Sequence, residues 1–170
     1  MTLALCALLV QQALAVGDKV PDFRVTDTSG KAWTLAELRK KSPSGVVSLT
    51  FWCTFCHSCR KMDARFDALA GEFAGKAFVA GLDASAADTA EKVETFRRER
   101  KFSVPVFMDD GKAAELFGVR VTTTTLVIDK EGVLRYRGQF GPEDAFHAKA
   151  AVQALLDGKD VPVKETPPSG

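Results

Sequence analysis

The sequence predicts an α/β fold: a central mixed β-sheet flanked by helices, with a β-hairpin extension at its N-terminal side. Three observations predict it. Val46–Trp52 and Ala77–Asp83 are short apolar, β-branched runs without alternation, the pattern of strands buried on both faces. Between them Met62, Phe66, Leu69 and Phe73 recur at helical spacing, so the unit reads strand, helix, strand. Further on, Thr124–Asp129 and Val133–Arg137 flank the tight turn Lys130-Glu131-Gly132, and an amphipathic helix follows. A βαβ crossover followed by a ββα unit builds one small sheet with helices on both faces.

The elements follow in order. Leu3–Val10 is an unbroken apolar stretch, followed by Gln11-Gln12 and Ala13-Leu14-Ala15. An apolar run of that length before an Ala-x-Ala site reads as a secretory signal peptide, cleaved after Ala15, although no Lys or Arg precedes it. It is too short for a membrane span, and Cys6 within it reads as a small apolar residue of the removed segment. The predicted domain covers 16–158. Phe23–Thr28 and Lys31–Thr34 form a hairpin about Ser29-Gly30, and Leu35–Lys40 is a short helix. The main helix runs from Cys56 to about Phe73 and closes at Gly75. Asp88 is expected to cap a helix reaching Arg100, with Val93 and Phe96 inward. Pro105–Met108 is extended and Gly111–Phe117 helical. Pro142 is expected to start the last helix, with Ala145, Val152, Leu155 and Leu156 inward and Gly158 at its end. Residues 159–170 hold three prolines and read as a flexible tail.

With 170 residues, 46% of them hydrophobic, the chain can fold around its core without disulfide staples. A net charge of +1 sets up no field for a nucleic-acid partner. The one basic run, Arg97 to Lys101, reads as the solvated end of a helix. Cys53, Cys56 and Cys59 are too close together to cross-link a fold, so they are there for reactivity or for metal.

The segment Phe51-Trp52-Cys53-Thr54-Phe55-Cys56-His57-Ser58-Cys59-Arg60 resembles the active site of the thioredoxin-like redoxins of the AhpC/TSA type, in which a buried strand ends in Phe-Trp and Cys-x-x-Cys opens a helix. The resemblance extends to Gly17–Phe23, Gly30–Leu35 and Leu126–Gly132, and covers roughly 17–158. It implies a thioredoxin-like fold and thiol–disulfide exchange without a cofactor. Cys56 at a helix N-terminus is placed to be the thiolate nucleophile, and Cys59, one turn on, the resolving thiol. His57 beside Cys56 is a candidate for tuning its pKa. Trp52, Thr122 and Thr123 are implied substrate-binding residues, and Cys53 is a third thiol where the family carries a small residue. Thr123 falls where the family has a cis-proline, so a strained cis bond or a relaxed trans loop is expected. Thr50 falls where thioredoxins keep a buried acid, which leaves Asp83 as a candidate carboxylate or a mere polar strand end. Arg60 and Lys61 read as solvating residues, and His147 as a surface or packing residue. The implied partners are protein or small-molecule disulfides and dithiols, with a membrane-bound electron donor, and the implied location is the periplasm. The alternative is a metal-binding module in which Cys53, Cys56 and Cys59 hold copper, zinc or an iron–sulfur cluster; after this cysteine spacing the fourth ferredoxin-type position is Asp63. A peroxiredoxin is disfavoured, because that family has threonine where Cys56 stands.

Overall fold

A computed structural model describes residues 12–142 and 146–167. The elements are β1 (Arg24–Asp27), β2 (Ala32–Thr34), α1 (Leu35–Arg39), β3 (Val47–Phe51), α2 (His57–Glu72), β4 (Phe78–Asp83) and α3 (Ala90–Arg100). Then come β5 (Val106–Met108), α4 (Lys112–Leu116), β6 (Thr124–Ile128), β7 (Leu134–Gln139) and α5 (His147–Leu156).

One sheet carries them in the order β2-β1-β5-β4-β3-β6-β7. The centre is parallel: β3 pairs with β4 in the register Leu49↔Ala80, and β4 with β5 in the register Leu82↔Phe107. The flanks are antiparallel, with β6 against β3, β7 against β6, and the N-terminal hairpin against β5. This is the mixed sheet with a hairpin extension that the sequence predicts.

Alternation along the central strands sorts the core onto two faces. Val79, Val106 and Val127 point to the layer of α2, α3 and α5, where Phe66, Leu69, Val93 and Val152 are buried. Leu49, Phe51, Leu82 and Leu126 point to the other layer, against Leu35 and Leu38 of α1 and Ala113 of α4. Because β3 is covered on both faces, all five of its residues are buried. Parallel β3 and β4 therefore deliver their C-terminal ends, Phe51 and Asp83, to the same edge of the sheet.

The structure differs from the sequence reading in three places. Thr89, not Asp88, caps α3: its hydroxyl accepts from the Lys92 N–H, which frees Asp88 for another contact. The last helix begins at His147 instead of Pro142. Phe146 packs its ring against Phe140 at 4.7 Å there; residues 143–145, including Ala145, lie outside the described residues. The segment after α5 is docked where the sequence predicts a flexible tail. Val161 is buried, and the Thr166 hydroxyl accepts from the Gln139 N–H at 2.8 Å. Glu165 pairs with Arg137 of β7. These contacts cover the outer rim of β7, whose backbone groups would otherwise present a bare sheet edge. Residues 1–11, with Cys6, lie outside the described residues, as do 168–170.

Candidate active site

The site is built where β3 stops. Trp52 donates its N–H to the Leu82 carbonyl at 2.9 Å and prolongs the β3–β4 pairing by one residue. The chain then leaves the sheet, and α2 starts with Cys56 itself as N-cap, in an extended conformation (φ −69°, ψ 118°). Its sulfur accepts the Cys59 backbone N–H at 3.1 Å. A helix leaves its first N–H groups without intrahelical partners, and a side-chain acceptor at the N-cap satisfies the third of them. Here that acceptor is sulfur. The x-x spacing of the motif is thus the spacing of a cap: Cys59 is the residue whose amide Cys56 receives.

The two thiols are electrostatically opposite. Partial burial works to raise the Cys56 thiol, but hydrogen bonds from the Cys59 side chain, the Thr122 hydroxyl and the Cys59 and Ser58 backbones hold it below the ordinary cysteine value. Cys59 is fully buried. Burial first, then its hydrogen bond to the Cys56 sulfur, pushes its thiol strongly up. Cys53 is buried as well, and burial followed by the charges of Cys56 and Asp83 pushes it up to about 11. All three are free thiols. Among the described residues no group of three His, Cys, Asp or Glu side chains converges as a metal site would require.

The loop between strand and helix is gripped from two sides. On one, the Asp88 carboxylate accepts the Thr54 N–H at 2.7 Å and the Thr54 hydroxyl at 2.5 Å. On the other, the Arg60 guanidinium donates to the Thr54 carbonyl and, at 3.0 Å, to the Cys53 carbonyl. Arg60 is itself held by Asp63 at 2.9 Å and lies over the rings of Trp52 and Phe96. Asp63 also accepts the Trp52 indole N–H at 2.9 Å, and the indole stacks on Phe102 at 5.3 Å. Arg60 is therefore a clamp on the loop, not the solvating residue the sequence suggests.

The facing wall is Val121–Thr123. The Thr122 hydroxyl lies 3.1 Å from the Cys56 sulfur. No cis peptide occurs among the described residues, so the trans loop is the form adopted. Thr123 instead takes a positive φ of 67°, an outlier for a β-branched residue. Two bonds over-determine it: its N–H donates to the Phe51 carbonyl at 2.6 Å, and its carbonyl accepts the Phe140 N–H at 2.9 Å. Between the walls runs an apolar groove of about 540 Å³, bordered by Phe51, Phe55, Cys56, His57, Leu82, Val119 and Thr122. Phe55, on its rim, is 64% exposed.

Residues 16–137 match the AhpC/TSA family. The chain belongs to that family. It is 32% identical over 124 residues to the thiol-disulfide oxidoreductase ResA of Bacillus thuringiensis (strain Al Hakam), covering 72% of this chain and 68% of that one. Among solved structures it is similar to the exposed lipoprotein thioredoxin of Streptococcus pneumoniae strain TIGR4, with a TM-score of 0.63, 25% identity, and 81% and 99% of the two chains covered. It is also similar to the peroxidoxin BcpB of Mycobacterium tuberculosis, with a TM-score of 0.67, 30% identity, and 82% and 97% covered. The fold is thioredoxin-like and the chain is a thiol–disulfide oxidoreductase.

In this AhpC/TSA member the structure brings Cys56, Cys59 and Thr122 into direct contact. Trp52 is only 1% exposed and reaches the groove as part of its wall. His57 is exposed on the first turn of α2 and borders the groove, but the groups that hold the Cys56 sulfur do not include it. Thr123 spends both backbone groups inside the fold, so the substrate pairing expected of its backbone is already taken. The place of the family's buried acid is filled by a hydroxyl pair, Thr50 with Thr125 at 2.9 Å. Arg60, Asp63 and Asp88 are the residues sequence reasoning missed. Arg60 had a readable signal, a cation one residue beyond the motif and so within reach of the loop carbonyls. Asp88 had none, because 34 residues separate it from Thr54.

Proposed function

We propose that Cys56 attacks substrate disulfides and that Cys59 resolves the mixed disulfide. The observation that carries this is the capped sulfur. Cys56 alone among the three thiols is both partly accessible and held low, while Cys59 lies buried beneath it. The Cys56 thiolate attacks one sulfur of a disulfide, and the other sulfur leaves as thiolate and takes a proton. The Cys56 sulfur is then uncharged, so both its hydrogen bond from Cys59 and its negative charge, which kept Cys59 protonated, are gone. Cys59 gives up its proton to water and attacks the Cys56 sulfur; the bond from Cys56 to the substrate breaks, and the substrate's second sulfur leaves as thiolate and takes a proton from solvent. Two electrons have moved to the substrate, and Cys56–Cys59 is oxidised. The apolar groove between Phe55 and Thr122 receives the flanking part of a protein or small-molecule substrate, with His57 at its rim. Cys53, neutral and buried, takes no part.

A substrate trap tests the roles. Cys59→Ser should accumulate a mixed disulfide on Cys56, Cys56→Ser should accumulate none, and Cys53→Ala should turn over as the parent does. Trapping on Cys53 would overturn the assignment.

We also propose that the protein works outside the cytoplasm, in the periplasm, with residues 1–15 as export signal and a membrane-bound donor that keeps the dithiol reduced. The apolar run with its Ala-x-Ala site supports this, as does the similarity to an exposed lipoprotein thioredoxin. No helix among the described residues is long and apolar enough to cross a membrane. The Leu14 N–H donates to the Leu116 carbonyl at 3.0 Å, a contact that a cut after Ala15 removes. The mass of the exported chain decides: a start at Val16 supports the cut, and an unprocessed cytoplasmic chain overturns export. Cells holding the protein wholly oxidised would overturn the donor.

A further inference from the structure

Beneath the active-site loop lie two carboxyl groups that the exchange chemistry does not use. Asp83, the last residue of β4, is 1% exposed. Its Oδ1 accepts the Ser85 N–H at 2.9 Å. Its Oδ2 is buried and receives no N–H or hydroxyl from the described residues. The same short turn brings Asp88 up to it: Ser85, whose N–H Asp83 receives, accepts the Asp88 N–H at 3.3 Å, and the Asp88 charge bears on the Asp83 carboxyl. Two carboxylates are acceptors only, so the unpartnered Asp83 oxygen is satisfied beside Asp88 only when one of the two carries a proton. Asp88 in turn grips both the N–H and the hydroxyl of Thr54, two residues before Cys56.

We propose that Asp83 and Asp88 hold one proton between them, and that this proton keeps Asp88 in place as the positioning residue of the loop that presents Cys56. The proton sits on Asp83, which donates to Asp88; Asp88, ionised, holds Thr54. Burial first, and Asp88 beside it, push the Asp83 carboxyl up to about 7, whereas its bonds to Thr54 hold Asp88 low despite burial. The surroundings offer little to replace the proton. Lys92 of α3 is a cation whose charge acts on Asp88, and its ammonium already donates to the Ala87 carbonyl at 2.7 Å. Cys53 faces Asp83 as a neutral thiol, and Cys56 beyond it adds only negative charge. Just past β5, Asp109 donates its N–H to the Asp83 carbonyl, but its carboxylate is engaged by the N–H groups of Ala113 and Ala114. Loss of the proton therefore sets two neighbouring negative charges against each other in a buried site. Asp88 swings away, Thr54 loses its grip, and the cap at Cys56 loosens.

This rests on Cys56 as the attacking thiol, but its first readout does not. The reduced protein is followed by hydrogen exchange of the Thr54 amide and by iodoacetamide alkylation of Cys56 from about pH 5 to 9. In the parent, Thr54 exchange should rise about tenfold beyond its hydroxide dependence as the pair loses its proton, and Cys56 alkylation should show a second inflection in the same range. Asp83→Asn supplies a permanent N–H donor to Asp88, so it should keep Thr54 protected at high pH and retain only the thiolate inflection. Asp88→Asn should expose Thr54 at every pH. An Asp83→Asn protein that titrates like the parent overturns the proposal. So does parent Thr54 exchange that simply follows hydroxide. If Asp83→Asn does not fold, carboxyl ¹³C shifts of the parent decide: one carboxyl titrating near neutrality supports the shared proton, and two in the ordinary carboxylate range overturn it. Altered Cys56 alkylation with unaltered Thr54 behaviour would point to the thiol assignment instead.

Discussion

Asp83 and Asp129 follow similar apolar strands, Val79-Ala80-Gly81-Leu82 and Leu126-Val127-Ile128, at opposite ends of the sheet, and both are buried. Their surroundings differ. Asp129 accepts the N–H groups of Glu131 and Val133 at 2.9 and 2.8 Å, and Arg135 closes the set at 2.5 Å. Every lone pair it needs to place has a donor, one of them a cation, and the result is a rigid hairpin turn. Asp83 has one N–H and then another carboxyl. The far end of the sheet is closed electrostatically, while the end that carries the cysteines is left one donor short. The lesson is that a buried acid at a strand end is read by its donors, not by its burial.

The two ends should fail differently. Cys56→Ser removes the nucleophile and should lower disulfide exchange by about a thousandfold or more, with the melting temperature nearly unchanged. An insulin-reduction assay beside a thermal melt checks this, and a large fall in melting temperature would break the contrast. Asp129→Ala should do the reverse. It strands two turn N–H groups and the Arg135 guanidinium, so unfolding free energy should drop by about 2–4 kcal/mol while exchange per folded molecule stays at the parent rate. Urea titration and the same assay measure both.

How much of this was legible follows from the range of the forces. The strand before the motif, the helix carrying Met62 and Phe66, and the Lys130–Gly132 turn are written in local periodicity and turn chemistry, which burial enforces residue by residue. The cap relation of Cys56 and Cys59 is also local. Asp88 reads locally as a helix cap because it is a good one; Thr89, adjacent and equally suited, takes that role once the sheet register brings Thr54 within reach of Asp88. The docked tail was hidden for a similar reason. Its prolines argue against helix and strand, but they say nothing of the bare rim of β7 that Glu165 and Thr166 cover.

Stability against pH sharpens the comparison. The folded Asp83 carboxyl is raised from the ordinary 3.8 to about 7, so between those values the folded state binds more protons than the unfolded chain. Unfolding free energy should therefore fall as pH rises through that window, and level off above it. Asp88, held low, acts in the opposite sense, and only below the ordinary carboxylate range. Urea midpoints for the parent minus those for Asp83→Asn should show the downward slope between about pH 4 and 7. A flat difference would mean that Asp83 is as well satisfied as Asp129.

The smallest effect concerns Thr123, where the active end carries backbone strain. A β-branched residue at φ 67° is held there by its bonds to Phe51 and Phe140. The αL conformation costs an L-residue about 1–2 kcal/mol, and glycine escapes it but loses more chain entropy on folding. Thr123→Ala and Thr123→Gly both delete whatever the side chain contributes, so the difference between them isolates the backbone. The glycine variant should be the more stable of the two by about 1 kcal/mol in urea titration. If alanine is equal or better, the bonds to Phe51 and Phe140 set a geometry that alanine also accepts, and strain at this loop has no part in how the site is held.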